Sequence, residues 1–110
     1  MIRAIIAGPD RGLESALSAL GVEVTRIDDV VTGASLEAAA VTEATLLLLT
    51  DPDEATAVPI AKDLNPAIRT VFYTPDSLPE FIKGQLDLAI DPALLDATAV
   101  AEELVGSIED

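Results

Sequence analysis

The residues best placed for chemistry follow the ends of three apolar runs. A glycine-rich turn comes after the first run, an aspartate after the second, and a hydroxyl beside a carboxylate after the third. They are Gly8, Pro9, Asp10, Arg11, Gly12, Asp28, Thr50 and Asp51. Glycine turns that open a helix offer backbone amides to phosphate, and an acid about 20 residues later can bind a ribose hydroxyl. The pattern predicts a shallow site for a small nucleotide or metabolite.

The same residues also have a purely structural explanation. Pro9 has no amide to donate, and Asp10 stands where a second glycine would let the backbone approach a pyrophosphate. A carboxylate also repels phosphate at close range. The turn can therefore serve as a tight connection that starts a helix, with Asp51 as a helix cap.

Enzymatic chemistry is poorly supported. Cysteine and histidine are both absent, which excludes disulfides, thiolate nucleophiles, imidazole bases and ordinary zinc sites. Ser15, Thr50 and Thr74 are hydroxyls with no base to activate them. The sequence favours a non-catalytic protein.

The charge is strongly one-sided. The chain has twenty acidic and six basic residues, which gives a formal net charge of −14. Such a surface repels nucleic acid and anionic membranes, and no apolar run approaches the roughly 20 residues that span a bilayer. We therefore expect a cytoplasmic protein with no nucleic-acid partner and no membrane insertion. The even spread of acids indicates adaptation to a salt-rich cytoplasm, although Asp10, Asp28, Asp29 and Asp51 are candidate magnesium ligands.

Alternating strand-like and helix-like segments must position these residues. The strand candidates are residues 3–7, 22–27, 44–50, 68–74 and 86–90. The first, third and fourth contain unbroken apolar runs, as expected of strands covered on both faces. The second and fifth alternate apolar with polar residues, which is typical of edges. This predicts a single α/β domain over residues 1–110: a three-layer, doubly wound parallel five-stranded sheet, Rossmann-like or flavodoxin-like, in order 2-1-3-4-5.

Helix boundaries carry local signals. The stripe of Leu13, Ala16, Leu17 and Leu20 predicts a first helix that Gly21 ends. Asp51 with Glu54 predicts a capping box at the start of a third helix, and Pro59 predicts a kink inside that helix. The pairs Ser77 with Glu80 and Asp91 with Pro92 predict caps of the same kind at later turns. The last helix is predicted over residues 97–107, burying Val100, Ala101, Leu104 and Val105.

Residues 36–104 resemble the later half of the RCK N-terminal domain, the NAD-binding Rossmann regulatory domain of potassium channels and Trk uptake systems. The resemblance rests on a leucine-rich strand followed by Asp51, Asp53, Glu54, Ala55, Asn65, Pro66, Arg69, Asp91 and Pro92. It implies a regulatory module with NAD or another nucleotide as ligand. The chain resembles a truncated type of this domain, because residues 28–36 leave no room for the family's extra helix and strand, and its excess of acids indicates a haloarchaeal source.

Short acidic chains of this type also resemble proteins labelled CTP synthetase. The residues give that label no chemical support, since a glutamine-hydrolysing module needs cysteine and histidine. The chain also lacks the Gly-x-x-x-x-Gly-Lys phosphate loop.

Two alternatives stay open beside the ligand-binding module. Five βα units in this length also resemble the receiver domains of two-component signalling, with Asp10, Asp51 and Thr74 approximating the acid pair, phosphoacceptor and hydroxyl. Asp91 stands where a receiver has lysine, which disfavours phosphorylation. The other alternative is a protein-interaction domain, expected to be a homodimer, with Phe72, Tyr73 and Phe81 as candidate anchors. In it, Asp87 would discourage open-ended pairing of the fifth strand.

Overall fold

Five strands form one parallel sheet in the computed structural model, which describes residues 2–109. The strands are β1 (Arg3–Ala7), β2 (Glu23–Ile27), β3 (Leu46–Leu49), β4 (Arg69–Tyr73) and β5 (Leu88–Ile90). Their spatial order is β2-β1-β3-β4-β5, and every pairing is parallel. The predicted fold class and strand order are confirmed, although β2 to β5 are shorter than the predicted runs.

Helices connect consecutive strands, and a further helix follows β5. They are α1 (Leu13–Ala19), α2 (Gly33–Ala38), α3 (Ala57–Leu64), α4 (Glu80–Lys83) and α5 (Ala97–Glu109). Two 3₁₀ turns, Val41–Glu43 and Pro52–Glu54, precede β3 and α3. No helix within residues 2–109 is long and apolar enough to cross a membrane.

The sheet separates two apolar cores, because successive strand side chains point to opposite faces. One core joins Leu47 and Phe72 of the sheet to α2, α3 and α4. The other joins Leu46 and Leu48 to α1 and α5. In α5 the predicted residues Val100, Ala101, Leu104 and Val105 are buried. The result is the predicted three-layer arrangement.

The edge strands differ from the central ones as expected. Every residue of β3 is buried, whereas β5 is exposed at Leu88 and Ala89. Asp87, predicted to discourage pairing at this edge, accepts hydrogen bonds from the Thr70 amide at 2.8 Å and from Lys62 at 2.7 Å, and its side chain is 43% exposed.

The first helix ends as predicted. Gly21 has a φ of +84°, and its amide donates to the Ser18 carbonyl while the Val22 amide donates to the Leu17 carbonyl. This pair of bonds is the Schellman ending that glycine favours. Leu13 and Leu17 are buried, but Leu20 is 44% exposed, so the apolar stripe is one residue shorter than predicted.

The kink predicted at Pro59 is absent. Pro59 is the third residue of α3, where the missing amide would have no partner within the helix. The helical segment is interrupted before Pro59, between the 3₁₀ turn Pro52–Glu54 and the start of α3 at Ala57. A proline in the first helical turn costs little, which explains why α3 continues through it.

Two predicted capping boxes do not form. Asp51 does cap its turn, accepting from the Asp53 amide at 2.9 Å, but the Glu54 carboxylate accepts from the Val31 amide at 3.1 Å instead. Ser77 does not cap α4, because the N-cap residue of that helix is Pro79, which makes no capping hydrogen bond through its side chain. Asp91 accepts from the Ala93 amide at 2.9 Å, so it closes a turn rather than a helix.

Candidate functional site

The predicted site residues gather where the chain changes direction across the sheet. From β1 the chain crosses to β2 on one side, and β3 pairs with β1 on the other, with Ala7 opposite both Ile27 and Leu49. The carboxyl ends of these three strands therefore lie side by side. Ligands of open α/β sheets bind at such a switch point.

A close contact between Gly8 and Thr50 organises this edge. Gly8 has a φ of +108°, and a Cβ atom there would lie 2.4 Å from the Thr50 hydroxyl oxygen. The buried Thr50 hydroxyl donates to the Pro9 carbonyl at 2.7 Å. Gly8 is thus required by the approach of β3, whether or not a ligand binds.

The rest of the glycine turn is occupied by its own bonds. The Gly12 amide donates to the Asp10 carboxylate at 2.8 Å, and the Arg11 guanidinium donates to the Thr50 carbonyl at 3.4 Å. Gly12, with a φ of +88°, starts the seven-residue helix α1 without a side-chain cap. Since Pro9 has no amide, the turn offers little to a phosphate.

A cleft of about 440 Å³ lies between the ends of β2 and β3. It is lined by Gly8, Arg26, Asp28, Asp29, Val30, Asp51 and Glu54. Four carboxylates therefore face one guanidinium. A dinucleotide pyrophosphate entering this cleft would meet net negative charge.

Arg26 is already engaged within the cleft. Its guanidinium donates to the Gly8 carbonyl and pairs with Asp28 at 3.3 Å and Glu14 at 3.7 Å. Asp28 is exposed at the rim, which leaves its second oxygen open to solvent or to a ribose hydroxyl. The structure thus brings Gly8, Asp28 and Asp51 to one cleft, whereas Asp10 is not among its lining residues.

Sequence reasoning missed Arg26 and Glu54. Arg26 carried one usable signal, since it is a lone cation on an edge strand two residues before Asp28. Glu54 carried none, because the pattern that includes it equally predicts a capping box. No group of three or more residues suited to holding a metal ion exists within residues 2–109, so Asp10, Asp28, Asp29 and Asp51 do not form the magnesium site considered from sequence.

A family of unknown function, DUF7126, matches residues 4–104. The chain belongs to this family. No curated protein matches the sequence.

Solved structures with the same fold include two orphan response regulators. One, from H. pylori, has a TM-score of 0.75 at 12% identity over 96% of this chain and 94% of that one. The other, an atypical regulator described with a phosphorylation-independent regulatory mechanism, has a TM-score of 0.70 at 11% identity over 96% and 93%. A protein assigned to pilus assembly, CpaE from Burkholderia thailandensis, has a TM-score of 0.65 at 17% identity over 100% of both chains. These likenesses establish a receiver-like fold for this family member.

The polar groups at the strand ends make hydrogen bonds within their own turns. Asp10, Asp51 and Asp91 each accept a hydrogen bond from an amide two residues later. The Thr74 hydroxyl donates to the Asp76 carboxylate at 3.3 Å and accepts from its amide at 3.2 Å. Each group therefore closes its own turn.

Tyr73 connects the end of β4 to the loop before α5. Its hydroxyl donates to the Leu95 carbonyl at 2.7 Å. Burial raises the pKa of this hydroxyl, and the nearby carboxylates of Asp96 and Asp91 raise it further, while Arg11 opposes them. Tyr73 and Phe72 are buried in opposite cores, so they are not the surface anchors considered from sequence, whereas Phe81 is 56% exposed.

Proposed function

We propose that this chain is a degenerate receiver-like regulatory domain that acts by binding protein and not by carrying a phosphoryl group. Its fold is shared with two orphan response regulators, one of them described with a phosphorylation-independent mechanism. The proposal also includes a salt-rich cytoplasm, which the excess of acidic residues supports.

The observation that carries this proposal is a set of three strand-end carboxylates, each with one oxygen hydrogen-bonded to an amide of its own turn and none paired with a lysine within residues 2–109. Asp10 and Asp51 are bound to amides of their own turns. Where a receiver has lysine, Asp91 adds a third carboxylate. A phosphoryl group at Asp51 would meet added negative charge with no lysine to hold it, so it would be poorly retained.

The test is incubation with acetyl phosphate and magnesium in roughly molar potassium chloride, which screens the net charge of −14. Intact mass spectrometry should show no gain of a phosphoryl group, and Asp51→Asn should behave like the parent chain. A mass gain that disappears in Asp51→Asn would overturn the proposal, because it would identify Asp51 as a phosphoacceptor.

A small-ligand module is the second candidate, favoured by the cleft beside Gly8. Asp28 is exposed at its rim and stands where a Rossmann domain places its ribose-binding acid. This hypothesis keeps the RCK-like interpretation and its nucleotide, NAD or another. The Gly12 amide is already bound to Asp10, and this bond and the carboxylate-rich lining weigh against a pyrophosphate and leave a nucleoside or another uncharged metabolite as the better fit.

Thermal unfolding in molar potassium chloride separates the candidates. A ligand that binds only the folded state raises the melting temperature, and above Kd the rise follows the logarithm of the ligand concentration. NAD(H), NADP(H), adenine and cytidine nucleotides and magnesium should be compared with free nucleosides. A shift that disappears in Asp28→Ala but persists in Asp63→Ala, an exposed acid on α3, would favour the ligand-binding module.

A further inference from the structure

The edge formed by β5 has open hollows on both sides of the sheet. β5 ends the sheet and pairs only with β4 within the described residues. A hollow of about 440 Å³ lies on the α4 side and one of about 450 Å³ on the α5 side, and both are lined by Asp87 and Leu88. Leu88 is 42% exposed. The strand therefore presents an uncovered apolar side chain between two grooves.

The opposite edge does not share this property. In β2, Glu23 is exposed and pairs with Arg3 at 3.5 Å, and Val24 is half-buried. No large apolar residue of β2 is among the exposed ones in residues 2–109. Only the β5 edge therefore combines a free strand with exposed apolar surface.

The charge lining the two hollows is balanced, unlike that of the rest of the chain. Two basic residues, Arg69 and Lys83, and two acidic ones, Asp87 and Glu103, line them. Lys62 pairs with Asp87 at 2.7 Å and Lys83 pairs with Glu80 at 3.0 Å. Because this surface is neutral, the remainder of the molecule carries the whole formal charge of −14.

We propose that a second copy of this chain docks on the β5 surface, forming an isologous dimer. Two chains of charge −14 repel each other wherever their acidic surfaces meet, and this neutral surface is where that repulsion is least. A two-fold interface must be self-complementary, and a patch with equal numbers of both signs satisfies that condition. A basic partner would be attracted to the acidic remainder of the molecule instead.

Two features of β5 suit this occupant. The charge of Asp87 at the free edge is compensated, because its carboxylate accepts hydrogen bonds from Lys62 and from the Thr70 amide. Leu88 can then enter the grooves of the partner copy and be covered there, which is the burial that central apolar residues of an interface provide. This inference deepens the proposed function by naming the protein partner as a second copy.

The experiment is light scattering of size-separated protein over a range of concentrations and potassium chloride. The expected mass is twice the 11.4 kDa of the chain, with tighter association as salt screens the repulsion. Leu88→Asp should weaken the dimer at least about tenfold. The matched control is Leu20→Asp, which adds the same charge at a leucine that is 44% exposed and should leave the dimer intact.

A second pair of variants covers the case in which Leu88→Asp unfolds, which circular dichroism would reveal. Lys83→Glu makes the β5 surface acidic at an exposed position and should also give monomers, whereas Arg3→Glu, with the same charge change at the start of β1, should not. A monomer at every concentration and salt, or a dimer that survives both β5 variants, would overturn the inference. Either result leaves the acetyl phosphate experiment unaffected, so the two proposals fail separately.

Discussion

The Thr50 hydroxyl oxygen lies where a Cβ atom on Gly8 would come within 2.4 Å of it. The same hydroxyl donates to the Pro9 carbonyl. The first residue after β1 and the first residue after β3 are therefore in direct contact at the switch point. This contact makes the glycine turn a structural connection, independent of any ligand.

Gly8→Ala should lower the free energy of unfolding by about 2 kcal/mol or more, because the positive φ and the contact with Thr50 both oppose a side chain. The control is Gly21→Ala, where φ is +84° but nothing lies within 4 Å of the added atom, so only the left-handed backbone strain of about 1–2 kcal/mol applies. Urea unfolding at constant potassium chloride measures both. Equal losses would show that the Thr50 contact contributes nothing.

Asp87→Asn should destabilise the chain by about 1 kcal/mol, since the partly exposed carboxylate anchors the start of β5 to Lys62 and Thr70. Burial alone would raise the pKa of the Asp87 carboxyl, but the hydrogen bonds from Lys62 and Thr70 together hold it below its usual value of 3.8. Because the pKa of Asp87 is lower in the folded state than in the unfolded state, the charged carboxylate stabilises the fold at any pH above its unfolded-state pKa. This contribution is lost as the pH falls through the folded-state pKa.

The difference between parent and Asp87→Asn should therefore be constant at neutral pH and shrink below about pH 3.8. Urea unfolding at a series of pH values measures it. Asp63→Asn, at an exposed position outside the recorded ion pairs, is the control and should change little. A difference that does not depend on pH would rule out the charged Lys62 contact as its source.

The layered fold was predictable because burial on two faces leaves a direct trace. Leu46 to Leu49 form an unbroken apolar run, and this strand lies at the centre with every residue buried. Val24 alternates with charged and polar neighbours, and its strand lies at an edge. Strand ends were less predictable. Thr50 follows the apolar run directly and was predicted to belong to the strand, but it lies outside β3 and its hydroxyl donates to the Pro9 carbonyl in the turn after β1.

The site was less predictable than the fold, because its contacts join side chains to distant backbone atoms. Arg26 donates to the Gly8 carbonyl, and Glu54 accepts from the Val31 amide. Neither partner has a side chain that identifies it in the sequence. Of the eight predicted residues, Gly8, Asp28 and Asp51 line one cleft, since the ends of neighbouring parallel strands meet at one edge.

Tyr73→Phe should cost about 1 kcal/mol, because it removes the hydrogen bond to the Leu95 carbonyl. The raised pKa of the Tyr73 hydroxyl means that folding keeps the neutral form. The stabilisation from the neutral hydroxyl is complete when the pH lies below the usual tyrosine pKa of 10.0. It is lost as the pH rises toward the pKa of Tyr73 in the folded state. The parent should therefore lose stability above pH 10 more steeply than Tyr73→Phe. Absorbance follows the titration directly, since the chain has one tyrosine, and a midpoint at or below 10 would contradict this.

Added potassium chloride should stabilise the chain, because carboxylates outnumber cations by 20 to 6 and repel one another in the folded state. Each basic residue is already bonded to a carboxylate, a carbonyl or a hydroxyl within the described part of the chain, so the remaining acids depend on screening. We expect the free energy of unfolding in urea to rise by at least about 1 kcal/mol between dilute and molar salt. The gain should shrink near pH 4.1, where the net charge approaches zero. An equal gain at both pH values would indicate a general salt effect on apolar burial in place of charge screening.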